Sequence, residues 1–172
     1  AAAAIKLDSR GPVFFRQVRV GKDGAHFEMF KLRTMVQDAE SLRSQLEDRN
    51  ESSGPLFKMR SDPRITRVGR FLRKSSIDEL PQLWNVIRGD MSIVGPRPAL
   101  PAETDQWAPE LHGRLRVLPG ITGMWQVSGR SEADFELYRR LDLYYVDNWS
   151  LTHDLKIVLK TFLVVLAGRG AQ

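Results

Sequence analysis

The 172-residue sequence contains no cysteine. That absence excludes a disulfide scaffold, thiolate metal sites and a cysteine nucleophile, and it is compatible with a reducing compartment. No apolar run reaches the roughly 18 to 20 residues that a membrane-spanning helix needs. Internal repeats and low-complexity tracts are also missing, which argues against a repeat architecture or a disordered linker.

What remains is the composition of a folded protein, 42% hydrophobic and 27% charged. The length suits one domain with a real core and is short for two, so residues 1–172 are expected to form a single domain. A net charge of +5 favours anionic partners: phosphates, nucleic acid or an anionic lipid surface. The opening "AAAAIKLDS" is unusual. Residues 1–4 read as a remnant of, or a placeholder for, a segment that is incomplete before Ile5.

Along the chain, "GPVFFRQVRVGKDGAHFEMFKLRTM" reads as a β-hairpin around the turn signal "GKDG". A period of two puts Met29, Lys31, Arg33 and Met35 on one face of its second strand. Lys31 and Arg33 would then lie about 7 Å apart, a spacing that suits a phosphate; from the pattern alone a solvated strand face is the simpler reading. Residues 36–48 carry Ala39, Leu42 and Leu46 at helical spacing, which predicts a helix. A Ser-, Gly- and Pro-rich loop with a turn at "SDPR" follows, then a short basic helix over 68–74. "LPGITGMWQVSGR" reads as an ordered loop or hairpin. "EADFELYRRLDLYYVDNW" predicts a helix with Phe135, Tyr138, Leu141 and Tyr145 on one side. The last helix has Ser150 or Thr152 as cap candidates and ends at Gly168. It is apolar around Lys156 and Lys160, as in a helix lying in a membrane interface; burial against a core is the alternative.

"SSIDELPQLWNVIRGDMSIVGPRP" holds the adjacent carboxylates Asp78 and Glu79. The structural account makes them a helix start. Asp78 would be the N-cap, or Ser76 and Glu79 a capping box, with Leu80, Leu83, Trp84 and Ile87 turned to a core. The chemical account uses the same residues. A carboxylate beside Arg70, Arg73 or Lys74 should stay ionised, because an opposite charge lowers its pKa. Such a group can attack phosphorus. Neutralisation of the repelling phosphate would come from Lys31, Arg33, Arg73 and Arg97, and from a divalent cation on hard oxygens. Adjacent helical residues point about 100° apart, so one carboxylate can be nucleophile while the other orients or binds metal. Asp90 adds a further acid, and the prolines flanking Arg97 pre-order a guanidinium for bidentate phosphate binding; a rigid surface turn explains them as well.

Four stretches, "FKLRTM", "SSIDELPQLWNVIRGDMSIVGPRP", "LPGITGMWQVSGR" and "LDLYYVDNWSLTHDLKIVLKT", occur in the order and spacing of the bacterial sugar transferase family. The chain therefore resembles the monotopic polyprenyl-phosphate glycosyl-1-phosphate transferases, from Ile5 to Gly170. The resemblance implies an α+β fold, with a small β-hairpin or sheet among amphipathic helices, some of them at the membrane interface. It implies transfer of a sugar 1-phosphate from a UDP-sugar to polyprenyl (undecaprenyl) phosphate, giving UMP and initiating exopolysaccharide, O-antigen or capsule synthesis. By that likeness Asp78 is the nucleophile of a covalent phosphosugar intermediate, and Asp78 and Glu79 form the catalytic pair and hold Mg²⁺. Lys31, Arg73 and Arg97 match positions for phosphate and nucleotide. Arg33, Gln126, Arg130 and Asp142 are carried over as further substrate-binding residues, and Asp90 also lies in a family motif.

Members of the family carry a hydrophobic re-entrant helix before "IKLDS", where this chain has "AAAA", and the larger members it resembles add an N-terminal membrane domain. The expectation is a catalytic portion of something larger, on the cytoplasmic face of the bacterial inner membrane, with homo-oligomerisation left open. Two rivals stand beside it: a basic nucleic-acid-binding module and a non-catalytic membrane-surface scaffold. The first is weakened because basic residues are scattered among acidic ones, so nucleic acid is not expected as a partner.

Overall fold

The computed structural model describes residues 1–51, 57, 59, 61–128 and 135–167. Their elements in chain order are α1 (Ala2–Asp8), β1 (Phe14–Val20), β2 (His26–Leu32), α2 (Arg67–Lys74), α3 (Gln82–Ile87), β3 (Ser92–Val94), α4 (Pro101–Thr104), β4 (Gly120–Thr122), α5 (Met124–Val127), α6 (Phe135–Asp147) and α7 (Leu151–Leu166). The fold is α+β, as expected: one antiparallel hairpin, one short parallel pair and helices around them.

The hairpin pairs Phe14 with Leu32 through Val20 with His26. Its turn works because Asp23 and Gly24 take left-handed backbone angles, φ 54° and 81°, which Gly adopts freely and Asp tolerates better than most residues. The predicted basic helix is α2, capped by the Thr66 hydroxyl, which accepts from Gly69 N at 3.0 Å. Asp8 of α1 adds a second cap, accepting from Val68 N at 2.8 Å. That backbone bond, and then one from Thr66, hold the Asp8 carboxyl below its usual range.

Residues 36–48 do not form the predicted α-helix. They run as turns leading into a 3₁₀ segment, Ser44–Arg49. The reason is tertiary. Ala39 O, which an α-helix would offer to Arg43 N, accepts from Arg64 Nη1, and Arg43 N bonds Glu40 O instead. Arg64 is itself buried and paired with Asp62 at 2.7 Å.

Helix α3 departs from expectation in a second way. Leu80, Leu83, Trp84 and Ile87 do not enter a core; they are 45–76% exposed. The buried face of α3 is polar, formed by Gln82 and Asn85. Asn85 is fully buried; its Oδ1 accepts from Phe30 N at 3.1 Å and its Nδ2 donates to Glu28 O at 2.6 Å. It thereby satisfies open-edge groups of β2 that would otherwise be buried without a partner, a loss of roughly 1–3 kcal/mol each. Asp90 Oδ2 accepts from the same amide at 3.1 Å and fixes its orientation.

"LPGITGMWQVSGR" is not a hairpin. Its centre forms β4, parallel to β3 and pairing Ser92 with Gly120 and Val94 with Thr122, and α5 follows. Glycine is required here: a Cβ on Gly120 would lie 2.1 Å from Gly95 N. Helices α6 and α7 cover this pair, where Val94, Tyr145 and Ile157 make a small core. A second cluster joins Ala99, Trp107 and Leu111. Of the predicted α6 face, Tyr138 and Tyr145 are buried while Phe135 and Leu141 are half-buried. Ser150 is the α7 cap, accepting from His153 N at 3.2 Å; Gly168, its expected stop, lies outside the described residues. Only Ile157 of α7 is buried, and Leu151, Leu155, Leu159, Phe162, Leu163 and Leu166 are exposed. Among the described residues no helix is long and apolar enough to cross a membrane.

Gly69 sets how closely α2 approaches the chain after β2, since a Cβ there would sit 2.0 Å from Thr34 O. Gly69→Ala should therefore destabilise the fold by about 1–3 kcal/mol in denaturant unfolding, against no comparable loss for Lys74→Ala at an exposed site on the same helix. Equal midpoints for the two variants would refute this close contact.

Candidate active site

The carboxylate pair sits between α2 and α3. Ser76, at φ 55°, ends α2 in a left-handed turn, and Ile77–Glu79 then form a single 3₁₀ turn. Glu79 N bonds Ser76 O at 3.2 Å, a backbone acceptor, and no side-chain cap is made at this start. Helix α3 begins later, after Pro81. Asp78 is thus not an N-cap and the Ser76–Glu79 capping box does not form. Tertiary packing, not helix capping, fixes the pair.

What the pair faces is the second strand of the hairpin. Lys31 Nζ lies 2.7 Å from Glu79 Oε1, with both side chains about three-quarters buried. Asp78 is buried beside them. Burial pushes its carboxyl up to about 6, against the pull of Lys31; the neighbouring Glu79 charge adds to the rise and Arg73 opposes it. The neighbouring cations, expected to lower this pKa, are outweighed by desolvation. At neutral pH the group is still mostly ionised, as an imperfectly compensated anion.

Beside Glu79 lies an open cleft whose lining includes Lys31, Glu79, Gln82, Arg97, Trp125 and Gln126; Asp78 is buried next to Glu79 and does not itself line it. Its space, about 130 Å³, is roughly ten times what one water needs, enough for a group of phosphate size. Arg97 enters from the Gly-Pro-Arg-Pro turn, with Glu103 Oε2 at 3.5 Å. Arg73 approaches Asp78 from α2, its Nε donating to Thr34 Oγ1 at 3.0 Å. Lys31, Arg97 and Gln126 therefore share the cleft with Glu79, and Arg73 flanks Asp78.

Three other expected residues are placed elsewhere. Arg33 does not join Lys31, because its guanidinium straps the carbonyls of Ser9, Arg10 and Pro12. The β2 strand ends at Leu32, so the alternation that aligned the two side chains stops before Arg33. Asp142 is 1% exposed, pairs with Arg114 at 2.5 Å and does not line the cleft. Asp90 holds Asn85. Arg130 lies outside the described residues.

Arg19 and Trp125 line the cleft without having been singled out from sequence. The signal for Arg19 was present: Gln17 pairs with Met29 and Phe15 with Lys31, so residues 15, 17 and 19 of β1 share the Met29–Lys31 face. Nothing in the local pattern marks Trp125, which reaches the cleft only through the β3–β4 pairing.

Adjacent carboxylates, one of them desolvated, beside a lysine and two arginines can bind a phosphorylated substrate and present an oxygen nucleophile to it. Comparison with known proteins gives this chemistry a context. The family model described as "Bacterial sugar transferase" matches residues 1–168. The galactosyl transferase CpsE of Streptococcus agalactiae is 47% identical over 163 residues, covering 94% of this chain and 36% of that protein. The undecaprenyl-phosphate galactose phosphotransferase of Salmonella typhimurium is 43% identical, over 94% of this chain and 35% of its own. A third relative, the UDP-glucose:undecaprenyl-phosphate glucose-1-phosphate transferase of Caulobacter vibrioides, is 47% identical over 94% of this chain and 59% of its own length. The chain thus spans about a third of the first two relatives. With the family model matched almost from end to end, the chain belongs to the bacterial sugar transferase family.

Proposed function

We propose that this chain is the phosphoglycosyl-transferring part of an enzyme that moves a hexose 1-phosphate from a UDP-sugar to undecaprenyl phosphate. The products are UMP and the undecaprenyl-diphosphate-sugar that starts an exopolysaccharide, O-antigen or capsule chain. The observation that carries this reading is the buried Asp78 carboxyl next to the Lys31–Glu79 pair, which lines a cleft together with Arg97. The names of the relatives supply the donor, the acceptor and the choice between glucose and galactose.

In the first step an Asp78 oxygen attacks the phosphorus bearing the sugar. A carboxyl O–P bond forms while the bond from that phosphorus to the UMP oxygen breaks, and UMP leaves with the electron pair. In the second, an oxygen of undecaprenyl phosphate attacks the same phosphorus, and the acyl-phosphate bond breaks to return Asp78 as a carboxylate. Lys31 holds Glu79 and adds positive charge facing the phosphates, as Arg97 does from the opposite turn. Lys31, and then Arg73, favour the ionised form of Asp78 against its burial.

Mg²⁺ suits this donor set. Among the described residues no group of three or more His, Asp or Glu could cage an ion. Mg²⁺, however, takes only one or two carboxylates and completes its shell with water and phosphate oxygens. Asp78 and Glu79 would hold it, and the raised Asp78 pKa marks an anion with charge left to neutralise. When bound, the ion would reduce the repulsion between carboxylate and phosphate.

The exposed apolar faces support a membrane surface as partner, which this reading assigns to the cytoplasmic side of the inner membrane. Leu83, Trp84 and Ile87 on α3 point to solvent, and α7 exposes a leucine-rich face together with Lys156 and Lys160. Such apolar faces bordered by snorkelling lysines are what interfacial helices carry.

Two predictions follow from this reading. Asp78→Asn should abolish UMP release from a UDP-sugar and undecaprenyl phosphate by about 10³-fold or more, and should prevent mass-spectrometric trapping of a phosphosugar on the protein. The variant should remain folded. A folded-state pKa raised from 3.8 to about 6 means the carboxyl's contribution to stability is present at acid pH and lost as pH rises through 6. With metal chelated, Asp78→Asn should therefore match or exceed the wild-type Tm at pH 8. Retained turnover would sink the nucleophile assignment. Separately, Trp84→Glu with Ile87→Glu should weaken co-sedimentation with anionic vesicles by at least about tenfold without lowering Tm; unchanged vesicle binding removes α3 from the membrane contact.

A further inference from the structure

Among the described residues four arginines are buried: Arg19, Arg33, Arg64 and Arg114. All four donate to backbone carbonyls, but two of them converge on one turn. Arg114 Nη2 donates to Arg97 O at 2.6 Å, and Arg19 Nη1 donates to Pro98 O at 2.9 Å. The neighbouring carbonyls are also engaged: Pro96 O accepts from Gly120 N and Ala99 O from Val20 N, both at 2.9 Å. Four consecutive carbonyls of the chain that carries Arg97 are thus each held, two by the adjacent β1 residues Arg19 and Val20, one by Arg114 and one by Gly120 of β4.

The clamps are themselves fixed. Arg114 lies between the rings of Trp107 and Tyr138, at 4.9 and 4.6 Å, and pairs with Asp142. Arg19 is braced by Gln17, whose Oε1 accepts from its Nη2 at 2.5 Å. Prolines at 96 and 98 remove two amide donors and restrict φ on either side. So much constraint on one turn leaves the Arg97 side chain little freedom in where it starts. Arg97 itself keeps about 30% of its side chain exposed at the cleft. Burial, and then the Arg97 charge, lower the Arg19 pKa, as the closeness of two guanidinium groups requires.

We propose that Arg19 and Arg114 are positioning residues: they grip consecutive carbonyls so that Arg97 is preset to receive the diphosphate of the nucleotide substrate. Asp142 then serves the substrate only through Arg114, which accounts for a carboxylate with no surface in the cleft. This role rests on the nucleotide-sugar reading above. Preorganisation of this kind raises affinity by removing the cost of ordering a long side chain when the ligand arrives.

A double-mutant cycle on UDP affinity tests it, with Kd measured calorimetrically well below the Tm of every variant. Arg19→Met should weaken UDP binding by about tenfold in the wild-type background. On the Arg97→Met background the same substitution should change Kd by less than about twofold, because there is no guanidinium left to aim. A merely structural Arg19 would lower Tm in both backgrounds without moving Kd. Losses that add, or an unchanged Kd in Arg19→Met, overturn the positioning role. Should Arg19→Met fail to fold, the cycle run with Arg19→Lys, which keeps the buried charge but not the planar fork, carries the same outcomes. Failure of the wild-type chain to bind UDP overturns the nucleotide-sugar reading itself, whereas additive losses overturn only the positioning.

Discussion

Asn85 is the contact on which the arrangement of this protein turns. One amide satisfies a donor and an acceptor on the open edge of β2, and Asp90 holds that amide in the required orientation. A polar buried side chain is costly unless every group is matched, and here the match specifies one register of α3 against the hairpin. That register sets the preceding turn, Ile77–Glu79, over Lys31. It also decides which side of α3 meets solvent. Because the polar face is buried, the leucines and Trp84 are left outside, the reverse of an ordinary amphipathic helix.

Charge in this fold is sorted by burial. Arg33, Arg64 and Arg114 are drawn inside, where carbonyls and the carboxylates of Asp62 and Asp142 match them. Removing one partner of such a pair leaves an uncompensated charge, so these groups lock the backbone more than they strengthen it. Lys31, Arg73 and Arg97 remain around Asp78 and Glu79. Their positive charge does not offset the desolvation of Asp78, whose pKa rises. An incompletely neutralised carboxylate costs stability in the free protein and is a better partner for a cation or for phosphorus.

The hairpin, α2, α6 and α7 were legible because their signals are local: a Gly-Lys-Asp-Gly turn, a short basic run, the Ser150 cap candidate, and apolar residues at helical spacing. Residues 36–48 carried an equally good helical pattern and did not form a helix, since Arg64, some 25 residues away, takes the carbonyl of Ala39. The parallel pairing of β3 with β4 was hidden for a similar reason. Three-residue strands have no period to read, and glycines 95 and 120 look like loop punctuation until the two backbones are seen to touch.

For the site, sequence alone determined the reactive types: adjacent carboxylates, a lysine on the second hairpin strand, and an arginine between prolines. It also carried the family likeness, since that resides in the order and spacing of residues. Tertiary structure decided which of them meet. Lys31 reaches Glu79 while Arg33, two residues on, turns away to the 9–12 carbonyls; Asp142 is buried against Arg114 and Arg19 lines the cleft. The physical reason is that a pattern of period two or 3.6 assigns a side chain to a face. What that face meets depends on hydrogen bonds and ion pairs between distant segments, which local spacing does not encode.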